Sequence, residues 1–474
     1  MDPPSAAPAP EGTRPEGARP DGAPTGGPSA GAAPTAGACL LTRAGEVLRP
    51  ALALYLDLHA HPETSGHESR TAGRFAERLA AAGCEVTRGV GGHGVVGVLR
   101  NGDGPRVWLR AELDALPVRE RTGLPYASDS GAMHACGHDL HLAAAAGATD
   151  LLARLRDRWR GTLVVLGQPA EETLSGAEAM LRDGLYERFG RPGAVLAQHA
   201  APLPSGTVAH TPDGTPVTGA GAVLEVVLHG RGGHAATPGL ALDPVVTAAA
   251  VITRLHALTA RTGPHADRMA LNVGMVRAGT AANVVPESAA LGVGLRARAD
   301  ADLDRLLTAV HRAVHAESAA AGAPREPEVR VVSRSAALRS DLTATESVRR
   351  AQAGLLGASR VLPWPGSLAT EDFPLFGDAG ARFHGQRGIP LVYWMLGVAD
   401  PGRPAPDRSA APAGTPAGTP ARSREAPPAP PAPPAPLAPP APNHSPRFAP
   451  HVGSALRPAV AALAAAALDR FAAG

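Results

Sequence analysis

A chain of 474 residues is long enough for a large core and more than one domain. The formal net charge is only +2 and no basic run occurs, so nothing marks a nucleic-acid-binding surface. Three scattered cysteines, Cys39, Cys84 and Cys136, are too few for a disulfide framework, which points to free thiols and a cytoplasmic setting.

Residues 1–40 are dominated by Pro, Ala and Gly and read as a disordered tail without a signal-peptide core. No run of roughly 18 apolar residues is found, so no membrane span is expected. Folded sequence is expected from about Leu41. Val47 to Leu58 has a helical pattern, and Ser69 to Ala82 places Ala72, Phe75, Ala76 and Leu79 on one helical face, with Gly83 as the stop. Cys84 to Leu99 alternates as strands broken by Gly-rich turns. Val107 to Leu113 is a strand that delivers Glu112 and Asp114 to its C-terminal end. Leu140 to Leu155 is an Ala-rich helix, and Gly161 to Gly167 is a short apolar strand of the kind buried in a parallel sheet. It runs into Gln168-Pro169-Ala170-Glu171-Glu172. A further strand, Ala194 to Ala197, runs into Gln198-His199.

From about Gly219 the pattern changes. Strand Ala222 to Leu228, a Gly-rich loop Gly230 to Pro238, helix Asp243 to Leu258, strands Leu271 to Val276 and Ala289 to Ala297, helix Asp300 to Ala320 and strand Val329 to Ser333 follow in turn. This β-α-β-β-α-β order matches a ferredoxin-like unit inserted into the larger domain. The main domain resumes with helix Asp341 to Leu356, the loop Thr370 to Phe373 and strand Pro390 to Leu396. Residues 401–443 are a Pro/Ala-rich low-complexity insert, and Pro458 to Phe471 reads as a terminal helix on the core. The fold class expected is α/β, a mixed-sheet catalytic domain with helices on both faces plus an inserted ferredoxin-like α+β domain. The catalytic domain would comprise residues 41–215, 336–400 and 444–474, and the inserted domain residues 216–335.

The densest chemistry is Met133-His134-Ala135-Cys136-Gly137-His138-Asp139-Leu140-His141. Cys136 and His138 stand two apart, so in an extended or turn segment both side chains reach one site. A thiolate beside an imidazole suits Zn, or Mn, Co or Ni. Asp114, Cys136/His138, Glu171/Glu172 and His199 each fall at the carboxyl end of a strand or in the loop beyond, where open α/β sheets bind ligands. Asp114 suits orienting a ligand from behind rather than binding metal. His59 and His61 are expected near the site without ligating, and His134 and His141 as structural residues.

Several segments together resemble the amidohydrolase branch of the aminoacylase-type di-metal peptidases, which includes hippurate hydrolases and auxin-conjugate hydrolases. They are His59 to Glu63, Arg110 to Pro117, Met133 to His141, Gln168 to Glu172, Gly230 to Pro238, Asn283-Val284-Val285-Pro286, Thr370 to Phe373 and His444-Ser445-Pro446. The resemblance implies two divalent ions (Mn, Zn, Ni or Co) bridged by Cys136, with His138, Glu172, His199 and His444 as further ligands. It implies Glu171 as general base toward a water activated between the ions, His234 stabilising the oxyanion from a neighbouring subunit, and Asn283 facing the substrate. It further implies a small-molecule amide substrate, an N-acyl amino acid or similar conjugate, and a homodimer or higher homo-oligomer formed through the inserted domain.

Two departures stand out. Glu112 occupies a position where Asp is usual, and Ala449-Pro450-His451-Val452-Gly453 replaces an acidic segment after Phe448. The alternatives are a dipeptidase or carboxypeptidase on the same scaffold, against which Cys136 in place of a carboxylate argues, and a catalytically silent binding protein.

Overall fold

A computed structural model describes residues 36–259, 268–400 and 440–474. Most of the expected tail and of the 401–443 insert lie outside the described residues. Helix α1 (Ala36–Ala44) opens the described chain, ahead of the start expected near Leu41, and sets Leu40 and Leu41 against the core. After α2 (Leu48–Ala60) comes α3 (Ser69–Ala81), which buries Ala72, Phe75, Ala76 and Leu79, the face its periodicity predicts. Strands β1 (Glu85–Val90), β2 (Gly94–Asn101) and β3 (Arg106–Glu112) lead to α4 (His138–Arg154). That helix begins at His138 rather than Leu140. Strand β4 (Gly161–Gln168), helices α5 (Gly176–Arg182) and α6 (Leu185–Phe189), and strands β5 (Ala194–Pro204) and β6 (Val208–His210) follow.

The chain then builds β7 (Ala220–His229), β8 (Gly233–His234), α7 (Pro244–Thr259), β9 (Met269–Ala278), β10 (Val284–Val285), β11 (Ser288–Ala297), α8 (Asp300–Ala320) and β12 (Glu328–Ser335). It returns through α9 (Leu342–Leu356), whose N-terminus is capped by Asp341 accepting from Ala344 N. Strand β13 (Val361–Pro363), helix α10 (Ala381–His384), strand β14 (Leu391–Ala399) and helix α11 (Val452–Ala472) complete it.

The large sheet has the order β1-β2-β4-β3-β5-β14-β6-β13. Its centre, β4-β3-β5-β14, is parallel, and β1 and β2 are antiparallel additions. Alternation along each strand divides the core between two faces. Leu163 and Val165 of β4 and Val107 and Leu109 of β3 face α2, α3, α4 and α11. Val164, Leu166 and Trp108 face Met180, Leu185, Tyr186, Phe373 and Phe376. Because both faces are covered, these strands read as continuous apolar runs.

The smaller sheet has the order β12-β7-β11-β9, every pair antiparallel, which is the spatial order of a ferredoxin-like unit. Leu224, Val226 and Leu228 of β7 and Leu291, Val293 and Leu295 of β11 share a separate core with α7 and α8.

Helix α11 begins at Val452, not Pro458, which lies inside it. By length and composition α11 could cross a membrane, and it is the one described helix of which this is true. It is instead buried for most of its length, its alanines packed against α4 and α9. Alanine has no side-chain entropy to lose and permits this close helix packing.

Candidate metal centre

Cys136 lies in the turn before α4. Gly137 has φ +85°, and a Cβ there would meet Ala200 Cβ at 2.9 Å, so the turn and its contact with β5 both require glycine. His138, the first residue of α4, donates from Nδ1 to the Asp114 carbonyl at 2.8 Å. In the neutral ring this leaves Nε2 with its lone pair. It is buried without a hydrogen-bond partner, 3.8 Å from Glu171 Oε2 and 3.8 Å from Glu172 Oε1.

His199 lies inside β5, not beyond its end, because β5 continues to Pro204 alongside β14. Its Nδ1 donates to the Ala200 carbonyl at 2.9 Å, and its Nε2 stands 3.3 Å from Cys136 Sγ. Burial pushes this imidazole down to about 3, so it is neutral and able to ligate. His444 Nε2 lies 3.4 Å from the same sulfur and 3.5 Å from Glu172 Oε2. His444 has φ +67°, a conformation costly for a residue with a Cβ. Its backbone N–H is held by Ala135 O at 2.8 Å.

Two ligand groups therefore meet at one sulfur. Cys136, His138 and His199 form the first, and Cys136, Glu172 and His444 the second, each with its ligand atoms within 4.8 Å of one another. Two of these atoms, His138 Nε2 and Glu172 Oε1, are buried without partners. Such orphaned atoms, in a set of thiol, imidazoles and carboxylate, fit divalent cations. Burial and then the Glu172 charge push the Cys136 thiol up to about 12.

Asp114 belongs to neither group. Its Oδ2 accepts from Ser65 Oγ at 2.7 Å and from Glu172 N at 2.9 Å. Glu171 is buried next to the centre. Burial, then the charges of Glu371 and Glu172, raise its pKa well above the usual carboxylate range. Immediately before it, Ala170 has φ +48°, and Glu68 Oε1 holds its N–H at 2.8 Å.

Behind the centre is a buried ionic network. Arg110 contacts Glu112, donates to Gln168 Oε1 at 2.8 Å and Glu371 Oε1 at 2.8 Å, and reaches Asp372 Oδ1 at 3.0 Å. Tyr393 Oη donates to Glu371 Oε2 at 2.9 Å. Glu112 accepts from His141 Nδ1 at 2.7 Å, while His141 Nε2 accepts from Ala200 N at 2.8 Å. Glu112, a departure in the sequence, is thus fully paired, and both ring nitrogens of His141 are engaged. Asn443, at the far end of the insert, was not singled out from the sequence. Its amide donates to Ala200 O at 3.0 Å and to Cys136 O at 3.4 Å. A polar residue next to His444 was the available signal.

His234 and Asn283 are not brought to Cys136 within the chain. Both are exposed on the inserted unit, where β8 pairs with β10 and Ala235 N donates to Asn283 O at 3.1 Å. His59 is buried between Asp139 Oδ2 at 2.7 Å and Glu120 Oε1 at 3.2 Å, away from both ligand groups. His134 is also buried, and His61 is exposed.

The model of peptidase family M20/M25/M40 matches residues 108–409. The chain belongs to this family. As an M20-family chain it is 38% identical over 242 residues to IAA-amino acid hydrolase ILR1-like 2 of Arabidopsis thaliana, covering 51% of this chain and 54% of that one. It is 37% identical over 243 residues to hippurate hydrolase of Campylobacter jejuni, covering 51% and 62%. The matched stretch therefore spans little more than half of these relatives. Among solved structures, it resembles the YXEP protein of Bacillus subtilis, a dinuclear metal-binding peptidase of the M20 family. That likeness has TM-score 0.65 and 25% identity and covers 90% of this chain and 98% of the other.

Proposed function

We propose that this M20-family protein is a metal-dependent amidohydrolase that cleaves the linear amide bond of N-acyl amino acids or similar small conjugates. The observation that carries the reading is the pair of ligand groups sharing Cys136. Cys136, His138 and His199 would hold one divalent ion, and Cys136, Glu172 and His444 the other. Two such ions would supply Lewis acidity and a lowered pKa for bound water.

Glu171 is the general base. It clusters with His138 and Glu172 on one side and with Glu371 and Asp372 on the other, outside the two groups that share Cys136, and its buried carboxylate has a raised proton affinity. It takes a proton from the attacking water and returns one to the departing amine nitrogen. Asp114 holds the Glu172 backbone and the His138 ring in register. Arg110, through Glu371, fixes the charge behind Glu171. His234 and Asn283, adjacent on an exposed edge of the inserted unit, serve the centre of a second protomer in a homodimer. Exposed Val284 on the same edge suits such a contact. The free thiols suit a reducing compartment.

Metal analysis combined with hydrolysis of a panel of N-acyl amino acids and dipeptides, with Mn or Zn added, tests the reading. Release of an amino acid from N-acyl substrates supports it. Preference for dipeptides, or metal binding without hydrolysis, would replace it with a peptidase or a silent binding protein.

A further inference from the structure

A cavity of about 570 Å³ lies away from the ligand groups, among the end of β6, the turn after it, one face of α9 and β13. Its walls include Leu342, Leu362 and Pro363. Two side chains lining it are buried and carry polar atoms without partners, Nδ1 of His210 (3% exposed) and Oγ1 of Thr345 (7% exposed). His210 Nε2 is occupied by Gln352 Oε1 at 2.7 Å. Since Gln352 Oε1 only accepts, Nε2 carries the proton and Nδ1 presents a lone pair. Burial pushes His210 down to about 4, so this lone pair persists at neutral pH. Buried orphan atoms of this kind call for a ligand or ordered water.

The charged lining is mixed. Arg349 supplies a guanidinium, and Glu346 and Asp213 supply carboxylates, with Arg349 donating to both Glu346 oxygens, Nε to Oε2 at 2.7 Å and Nη2 to Oε1 at 2.8 Å. Two carboxylates against one guanidinium disfavour a plain anion such as phosphate. A ligand that carries both charges on neighbouring atoms matches this lining.

We propose that this cavity binds a free α-amino acid, its carboxylate on Arg349, its ammonium on Glu346 or Asp213, and a hydrogen-bond-donating side chain reaching His210 and Thr345. The site is independent of the reaction assigned to the metal centre. The turn that lines it leads directly into the inserted unit. There Arg339 Nη1 donates to Gly214 O at 2.7 Å, and Thr218 bridges Leu338 of the returning chain. An occupant would contact α9 and this crossing together.

Calorimetric titration of the metal-loaded full chain with the individual standard amino acids tests the proposal. At least one with a polar side chain should bind. Arg349→Ala should weaken that binding about tenfold or more, and the near-isosteric Thr345→Val about threefold or more. Thr343→Ala, exposed on the same helix and outside the cavity lining, should leave it unchanged. Three results would overturn the proposal. One is no binding up to ~10 mM. The second is binding that Arg349→Ala and Thr345→Val both leave intact, which would belong to the centre around Cys136. The third is weakening by Thr345→Val alone, which would indicate a neutral ligand.

Discussion

The Cys136 sulfur lies 3.4 Å from Nε2 of His444, a residue 308 positions further along the chain. His444 thus belongs to the second ligand group and is absent from the first. His444→Ala should lower bound divalent metal from about two ions per chain to about one while the protein stays folded. Elemental analysis after gel filtration checks this, and two ions retained at full occupancy would contradict the assignment.

Glu171→Gln keeps the size of the side chain and removes its basicity. Turnover of an N-acyl amino acid should fall by about 10²–10⁴ with metal content unchanged. A variant that hydrolyses at the wild-type rate would exclude Glu171 as the base.

Arg110 is 2% exposed and faces Glu112, Glu371 and Asp372. Arg110→Met leaves those carboxylates buried without their cation. It should cost about 3–5 kcal/mol, read as a lower urea midpoint.

Burial opposes protonation of His59, but Asp139 and then Glu120 outweigh it and raise the imidazole from 6.5 to about 9. A raised pKa means that the stabilisation is complete below pH 6.5 and is lost as pH climbs through 9. The span is about 3 kcal/mol, and His59→Gln should flatten the alkaline limb of unfolding free energy against pH. At acid pH the sign reverses. Burial pushes His134 and His210 down to about 4, so their contribution is present above pH 6.5 and lost as pH falls toward 4.

If His234 serves a second protomer, His234→Ala and Glu171→Gln should each be inactive alone. Mixed and reassembled, they should recover about a quarter of wild-type activity, because half the dimers are hybrid and each has one complete site. No recovery in verified hybrids would place the action of His234 within its own chain.

Local chemistry was legible where it was dense. Cys136, Gly137 and His138 announce a site by spacing, and Glu171-Glu172 by adjacency at a strand end. The helical face of α3 and the sequence of strands and helices in the inserted unit follow from apolar periodicity. Gln198 and His199 look like a strand terminus in the sequence, whereas pairing with β14 carries the strand on to Pro204. Tertiary partners were not legible at all. Arg110 meets Glu371 across 261 positions, and no local pattern encodes that contact. Asn443 was obscured by the low-complexity sequence in front of it.

The separation of His444 from the other ligands has a consequence for biosynthesis. Chains emerge from the ribosome N-terminus first and fold in that order. If the two groups hold two ions as proposed, Cys136, His138 and His199 would be available to metal while His444 is still unmade. A first ion could be captured by a nascent chain, but a second would await the segment that carries His444, so a growing polypeptide would carry no complete two-ion centre.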